Sequence, residues 1–413
     1  MKKIVKSIFV MVVAAMMAAC SSDDYVGVVP DNCTALMSID VPQLAESQKG
    51  VDARLLRTFF RVSSPDNCGV DLASKLYLFQ TTDGNIGMVA RVKDVDEVGA
   101  WIEKLQQQGV CKGTKEHKGK TFTVMNGSWV AGYDDRALLV MGPVVPTAQP
   151  TMMRRMIKML EETSSIQDTP VFGRLEQMQA PMAFVAQTSA LPDQLAPLCS
   201  LGVPEGTSAN KVMLAATMTE KDGCMIVCGE PFSFDDSVDA AMKKATKVYR
   251  PLKGTFSNQQ TSSAVYTIMT NVDGKDLVPL LHGDKQLNGM LAGMSAKVDV
   301  ESFIGNIDGD MVFAFTSVDG DKENMRMQWN AEFKKDATPL DAESQRWLDE
   351  NRQSAVAGAS AMPEKVGQTV KDNRMATIIN LSAFTAGGAD GEGKSLLPIN
   401  LFKEVDYVIY ILK

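Results

Sequence analysis

Short apolar runs alternate with helical patterns along the whole chain. In DVDEVGAWIEKLQQQG, apolar residues recur at three- and four-residue spacing between Asp94 and Gly109. This spacing, with a capping acid and a terminating glycine, predicts an amphipathic helix. Two apolar runs within residues 74–92 flank the turn sequence TDGN, which predicts a β-hairpin. Hairpin patterns recur in KVMLAATMTEKDGCMIVCGEPF and DMVFAFTSVDGDKENMRMQWNAEF, and residues 120–141 predict a meander that turns at Asn126-Gly127 and at Asp134-Asp135.

Strand-then-helix units also recur, in LMSIDVPQL, FVAQTSAL, YTIMTNVDGKDL and TIINLSAF. Asp40 and Asp236 are expected to cap two of the helices. Together the units predict an α+β fold, in which antiparallel sheets carry helices packed on one face. The resemblance among the units further predicts two related halves, a first α+β domain over residues 31–180 and a second over 181–413.

The N-terminus has the order of features of an export signal. Lysines precede an apolar stretch, Ile8–Met17, which small residues and Cys20 follow. This order resembles a bacterial lipoprotein signal, so residues 1–19 are expected to be removed and Cys20 to be lipidated. Residues 20–30 would then form a lipidated polar tether. The alternative is an ordinary secretory signal that ends near a cysteine.

Lipidation would anchor the protein to a membrane that it does not span. Two or more acyl chains hold a protein stably, and no other segment reaches about 18 consecutive apolar residues. Ser21 is compatible with transfer to an outer membrane, and Ser22-Asp23-Asp24 resembles the acidic export tag of surface lipoproteins. We therefore expect an outer-membrane, lipid-anchored protein displayed at the cell surface, with a generic polar tether as the alternative reading of these acids.

The charge balance bears on the partners. The formal net charge of the 413-residue chain is −8, and removal of the three signal lysines makes it −11. An acidic surface argues against nucleic acid as a partner. The remaining length is enough for two or three domains with their own cores.

Six cysteines remain beside Cys20, and six allow fifteen pairings. Cys224 and Cys228 lie about 13 Å apart if GCMIVCGE is a strand, too far for a disulfide between them. Cys33 and Cys68 each follow Asp-Asn in a PDNC sequence. A disulfide between Cys33 and Cys68 is therefore a candidate, whereas buried free thiols are expected of Cys224 and Cys228.

One stretch, GADGEGKS at residues 388–395, fits the phosphate-binding pattern G-x-x-x-x-G-K-[ST]. The pattern needs a strand directly before it and a helix after it. Here the preceding strand pattern ends several residues upstream, Pro398 disfavours a helix, and Asp390 and Glu392 would repel phosphate. We predict a glycine-rich loop and no nucleotide.

Other chemical motifs are equally weak. Residues 208–211 fit S-x-x-K but lack the companion motifs of acylating serine enzymes. His117 and His282, the two histidines of the chain, stand in charged turn-like sequence. Residues 319–330 have the acid spacing of a calcium loop but lack its glycine and its final glutamate. The sequence thus predicts no catalytic residues, metal or cofactor, and a protein that is not an enzyme.

Several stretches carry a family resemblance: YVGVVPDNCTALMSIDVPQL, GVDLASKLYLF, VARVKDVDEVGAWIEKL and IDGDMVFAFTSV. They resemble the uncharacterised cell-envelope lipoproteins of Bacteroidetes that carry a large domain of unknown function. The resemblance implies a cell-envelope location and an α+β fold. It implies no activity and supplies no catalytic residues.

The leading hypothesis is a non-catalytic lipoprotein that binds or scaffolds another macromolecule, an envelope protein or a glycan. One alternative is a glycan-handling hydrolase with carboxylates from distant segments. Only 7% of the residues are aromatic, which is few for a surface that stacks against sugars and argues against this alternative. Another is a carrier of lipid or a small ligand, in which the 26 methionines would line a cavity. Core packing is the simpler explanation of the methionines, and we favour it.

Overall fold

A computed structural model describes residues 23–47, 68–191, 196–221, 224–256, 264–284, 298–318, 321–352, 374–380 and 407–412. The chain separates into two units by its internal contacts. Unit 1 comprises residues 1–33, 38–45 and 50–173, and unit 2 comprises 34–37, 46–49 and 174–413. The sequence places the boundary at 180/181, whereas the units change at Gly173/Arg174. That the two are related copies stays a prediction.

The strands of unit 1 and the strand that leads into unit 2 come first: β1 (Ala35–Ile39), β2 (Leu76–Gln80), β3 (Ile86–Arg91), β4 (Lys115–His117), β5 (Lys120–Met125), β6 (Trp129–Tyr133) and β7 (Ala137–Gly142). The later strands are β8 (Met182–Gln187), β9 (Met213–Lys221), β10 (Cys224–Phe232), β11 (Tyr249–Arg250), β12 (Ala264–Asp273), β13 (Ile307–Val318), β14 (Asp321–Phe333), β15 (Met375–Asn380) and β16 (Tyr407–Leu412).

The α-helices of the described residues are α1 (Val41–Ser47), α2 (Val95–Gln107), α3 (Gln149–Glu161), α4 (Pro170–Gln177), α5 (Asp236–Ala245), α6 (Gly274–His282), α7 (Val300–Gly305) and α8 (Ala342–Asn351). Helices and largely antiparallel sheets together confirm the predicted α+β fold class.

Unit 1 contains an antiparallel sheet in the order β2-β3-β7-β6-β5-β4. Its hairpins use the predicted turns. Asn126 and Gly127 both have positive φ, 48° and 77°, as the mirror-image turn between β5 and β6 requires. Between β6 and β7, one carboxylate oxygen of Asp134 accepts the amide hydrogens of Arg136 and Ala137, which closes that turn.

Helix α2 confirms its sequence prediction in detail. The Asp94 carboxylate accepts the amide hydrogens of Asp96 and Glu97, so it caps the helix. Gly109, at φ 74°, follows the C-terminal end in the left-handed conformation. Four of the five apolar positions of the pattern are buried, Val98, Trp101, Ile102 and Leu105, whereas Val95 in the first turn is 38% exposed.

Unit 2 contains strands in the order β14-β13-β12-β15-β16-β10-β9-β8-β1, and β11 pairs with β12. The pairing of β10 with β16 is parallel. The pairings from β14 to β16 and from β10 to β8 are antiparallel. Strand β1 belongs to unit 2 through its residues up to Met37.

The two faces of the β12–β13–β14 region have different covers. On one face, Phe313 and Trp329 lie in a core with Phe303 of α7 and Leu348 of α8. On the other face, Met269 and Val312 pack with two residues of a non-helical segment, Leu252 and Phe256. Because neighbouring residues of a strand point to opposite faces, Val312 and Phe313 belong to different cores. The helices lie on the first face, as predicted.

One local prediction needs correction. Helix α5 is capped by Asp235, whose carboxylate accepts the amide hydrogens of Ser237 and Val238, and Asp236 is already helical. The helix-like pattern LPDQLAPL lies partly outside the described residues, and its last three residues belong to a 3-10 helix, Ala196–Cys199.

Candidate functional site

The predicted lipidation residue, Cys20, and the phosphate-loop pattern at residues 388–395 both lie outside the described residues. The structure begins three residues after Cys20, with a 3-10 helix at Asp23–Val28. We call Asp23–Val29 the N-terminal segment. Its apolar side chains lie inside unit 1, because Tyr25, Val26, Val28 and Val29 are at most 2% exposed. The predicted tether over residues 20–30 is therefore too long, because Tyr25 is already buried.

Aromatic packing holds the start of the N-terminal segment. The hydroxyl of Tyr25 donates to the carbonyl of Lys75 at 2.8 Å, just before β2. The ring of Tyr25 lies 6.1 Å from that of Tyr77, which in turn lies 5.8 Å from the ring of Phe172. A buried tyrosine normally needs a partner for its hydroxyl, and the Lys75 carbonyl supplies it.

Backbone contacts hold the end of the segment to the chain that follows α3. The amide of Ser164 donates to the carbonyl of Gly27 at 2.8 Å, and the Ser164 hydroxyl donates to the carbonyl of Val29. Gly27 lies so close to Thr163 that a Cβ there would stand 2.6 Å from its Cγ2. A missing side chain at residue 27 therefore allows this close approach.

The two PDNC cysteines lie in unit 1 as buried thiols, so the structure does not contain the candidate Cys33–Cys68 disulfide. Burial raises the pKa of Cys33 to about 12, with a further rise from the nearby Asp31 carboxylate and a partial offset from a backbone hydrogen bond. A thiol reacts through its thiolate, so this high pKa makes Cys33 chemically inert near neutral pH.

The densest polar cluster belongs to unit 2 and centres on Asp310, which is 2% exposed. Its carboxylate accepts the amide hydrogens of Lys253 at 3.0 Å and Thr255 at 2.9 Å, and the side-chain amide of Asn271 at 2.9 Å. Glu332 lies beside it and accepts the Asp310 amide at 2.8 Å. We call these five residues the Asp310 network.

The Asp310 network brings together carboxylates from distant segments, which the hydrolase alternative requires. Burial opposes ionisation of Glu332, but the Lys253 ammonium at 2.8 Å and the donors of Asp310 and Thr255 outweigh it and lower its pKa. A general acid in glycoside hydrolysis needs a raised pKa. The carboxylate oxygens of the network already accept hydrogen bonds from the protein itself. This arrangement is typical of a structural contact that fixes the segment carrying Leu252 and Phe256, and we call this contact the clamp.

An exposed aromatic patch lies elsewhere in unit 2. The Phe234 side chain is 46% exposed and stands edge-on against Phe232, with ring centroids 5.1 Å apart. The guanidinium of Arg174 lies 5.4 Å from the Phe232 ring and forms an ion pair with Glu230. We call Arg174, Glu230, Phe232 and Phe234 the aromatic–arginine patch. Aromatic residues and arginine are enriched at protein interfaces.

The weak catalytic motifs do not assemble into a site. Lys211 of the S-x-x-K pattern forms an ion pair with Asp235 at 2.9 Å, and Ser208 is exposed in a loop. His117 ends the exposed strand β4, whereas His282 ends α6 with its Nε2 3.4 Å from a carboxylate oxygen of Glu301. Both histidines therefore end regular elements instead of lying in turns. Among the described residues no group of three His, Cys, Asp or Glu could hold a metal, and no helix could cross a membrane.

The arrangement defines a two-unit α+β protein in which the carboxylates of the Asp310 network are bound by backbone amides and side chains of the same chain. The chain belongs to the family described as a domain of unknown function, DUF4836, whose sequence profile matches residues 41–343. This confirms the domain of unknown function in the predicted resemblance. No curated protein matches the chain.

Solved structures with a resemblance include three crystal forms of TP0453. Form I is 9% identical over 57% of this chain and 89% of that chain, with a TM-score of 0.33. Form III is 12% identical over 49% and 76%, with a TM-score of 0.31. Form IV is 11% identical over 48% and 75%, with a TM-score of 0.30. Similarity at this level transfers no property to the present chain.

Proposed function

We propose that this protein is a non-catalytic lipoprotein of a Bacteroidetes-type outer membrane, anchored through Cys20 and displayed at the cell surface, where it binds another macromolecule. The observation that carries the proposal is the position of Tyr25. The folded core starts five residues after the cysteine that closes the signal-like sequence, so cleavage before Cys20 would remove none of the described fold.

The anchor is tested by replacing Cys20 in the full chain, expressed in a bacterium that matures lipoproteins. Cells are fed an alkyne fatty acid, and the protein is assayed for label and for recovery in membranes. Cys20→Ala should lose both, whereas the control Ser21→Ala should keep both. Label retained by Cys20→Ala would place the lipid elsewhere and refute the anchor.

Surface display is tested by adding a protease to intact cells of the native host and comparing them with lysed cells. Loss of the protein from intact cells supports display, and the acids Asp23 and Asp24 are its proposed signal. Survival until lysis would place the protein on the periplasmic side.

Macromolecular binding is proposed to use the aromatic–arginine patch. A single exposed phenylalanine backed by a second ring offers a partner a large apolar contact, and Arg174 beside it can pair with a carboxylate or a hydroxyl group. Because central aromatic residues contribute most of the binding energy of an interface, Phe234→Ala should lower the affinity for a specific partner at least about 30-fold.

The test cross-links the protein in the native host and compares Phe234→Ala with Val145→Ala, which changes a side chain that is 65% exposed in unit 1. The expected result is a defined envelope partner that Phe234→Ala loses and Val145→Ala keeps. A cross-link map without any specific envelope partner would refute the binding role. A partner that both variants keep would show that binding does not use the aromatic–arginine patch.

A further inference from the structure

We infer that unit 1 is held directly against the lipid headgroup surface, with one particular end of its sheet towards the membrane. The inference rests on the proposed lipidation of Cys20. It follows from two observations of the described residues: the depth at which Tyr25 is buried, and the strand end to which Tyr25 is attached.

The reach of the anchor is short. Tyr25 is 2% exposed, so the chain is fixed in unit 1 from that residue onward. Only Ser21 to Asp24 separate it from the lipidated cysteine. A fully extended chain spans at most about 3.6 Å per residue, and a 3-10 helix rises about 2 Å per residue. Because Asp23–Val28 is a 3-10 helix, Tyr25 stays within roughly 15 Å of the lipid attachment. A tether this short keeps the part of unit 1 around Tyr25 next to the bilayer.

The attachment of Tyr25 defines the end that faces the lipid. Its hydroxyl binds the carbonyl of Lys75, one residue before β2 begins. Strand pairing places the neighbouring strand ends at the same end of the sheet, because Tyr77 pairs with Val89 and Arg91 pairs with Ala137. We call this the Lys75 end. The turn at residues 81–85 lies at the opposite end, about 17 Å away at 3.3 Å per strand residue.

Ion pairs neutralise much of the charge at the Lys75 end of the strands. Arg91 lies 3.5 Å from Asp71, and Lys120 lies 2.9 Å from Asp134 where β5 begins and β6 has ended. Attraction to anionic lipid therefore contributes little, since opposite charges are already paired within the protein. The tether alone sets the contact, so it should not depend on salt or on anionic lipid.

The experiment measures energy transfer to a headgroup acceptor from a donor at either end of the sheet. The full lipidated protein is reconstituted in phosphatidylcholine vesicles, with Cys224 and Cys228 replaced by serine and a single labelling cysteine introduced. Ala73→Cys labels the Lys75 end and Thr82→Cys the opposite turn, and both positions are exposed. A second pair of proteins carries the same two labels and twenty Gly/Ser residues inserted between Ser22 and Asp23, a coil of roughly 25 Å.

Transfer should be at least about twofold higher from residue 73 than from residue 82, unchanged in high salt, and lower and similar at both positions after the insertion. Equal transfer from both positions without the insertion, or higher transfer from residue 82, would overturn the orientation. Transfer that the insertion leaves unchanged would show that the tether does not set the contact. Cys20→Ala should not float with the vesicles. If the protein that keeps Cys20 also failed to float, the anchor itself would be refuted, and this result is distinguishable from a wrong orientation.

Discussion

Both units cover strands with a stretch of chain that is not an α-helix, but they fix it by different chemistry. In unit 1 the N-terminal segment is fixed mainly by buried apolar side chains and by backbone hydrogen bonds to Ser164. In unit 2 the segment that carries Leu252 and Phe256 is fixed by the buried carboxylate of Asp310. Apolar burial needs no particular partner atom, whereas buried amide donors lose their acceptor when the carboxylate is removed. The two covers should therefore fail under different perturbations.

The largest expected effect is the loss of Asp310. Asp310→Ala leaves the Lys253 and Thr255 amides and the Asn271 side chain without their acceptor, so the free energy of unfolding of unit 2 should fall by about 3–5 kcal/mol. Peptide-resolved hydrogen exchange measures each unit separately. The control is Asp308→Asn, which breaks a half-exposed ion pair with Arg250 and should cost less than about 1 kcal/mol. Equal effects would contradict the clamp.

Next comes the aromatic contact of the N-terminal segment. Tyr25→Ala removes a buried ring and should lower the stability of unit 1 by about 3 kcal/mol, with exchange in unit 2 unchanged. Tyr25→Phe keeps the ring and removes only the donor to Lys75, which should cost about 1 kcal/mol. If the two variants were equally destabilised, the hydrogen bond and not apolar burial would fix this segment.

A smaller effect is expected where the segment passes Thr163. In Gly27→Ala the added Cβ would stand 2.6 Å from the Thr163 methyl, which should cost about 1–2 kcal/mol. Thr163→Ala removes that methyl, so the double variant should recover most of the loss. A double-mutant cycle from chemical denaturation checks this. Additive effects would mean that the two residues do not touch.

The pH dependence should give the subtlest difference. The folded-state pKa of Glu332 lies below its ordinary value of 4.5, so its stabilisation is present above about pH 4.5 and is lost as the pH falls through the folded-state pKa. Glu332→Gln should flatten the acid limb of the unit 2 stability curve. The curve of unit 1 should not respond to this change. An unchanged acid limb in Glu332→Gln would remove Glu332 as a source of the pH dependence.

Turns and caps were the predictable part of the fold, because their determinants are adjacent in the chain. The TDGN turn, Asn126-Gly127 and the Asp94 cap each depend on a few neighbouring residues, and all are found as predicted. The error at α5 has the same origin. Asp235 and Asp236 are both capping residues, and local chemistry alone did not decide between them.

The N-terminal segment and the Asp310 network were not predictable, because their partners lie far along the chain. YVGVV gives no hint of Ser164, and a polar tether was the simplest reading of a short apolar run after acids. The sequence does carry a signal for Asp310. In IDGDMVFAF it occupies the same strand face as the buried residues Val312 and Ala314, so an acid stands among apolar positions that point to the core. A buried acid implies donors, but the sequence does not name them.

The hydrogen bond from Ser164 to Val29 also bears on the order in which unit 1 folds. Its partners are 135 residues apart, so the N-terminal segment gains this bond only after residue 164 is available. Closing so long a loop is slow compared with forming a local turn. If the proposed export carries the chain N-terminus first, the residues around Cys20 would meet modifying enzymes while Tyr25 and its neighbours are still uncovered. The N-terminal segment would then be the last part of unit 1 to reach its final packing.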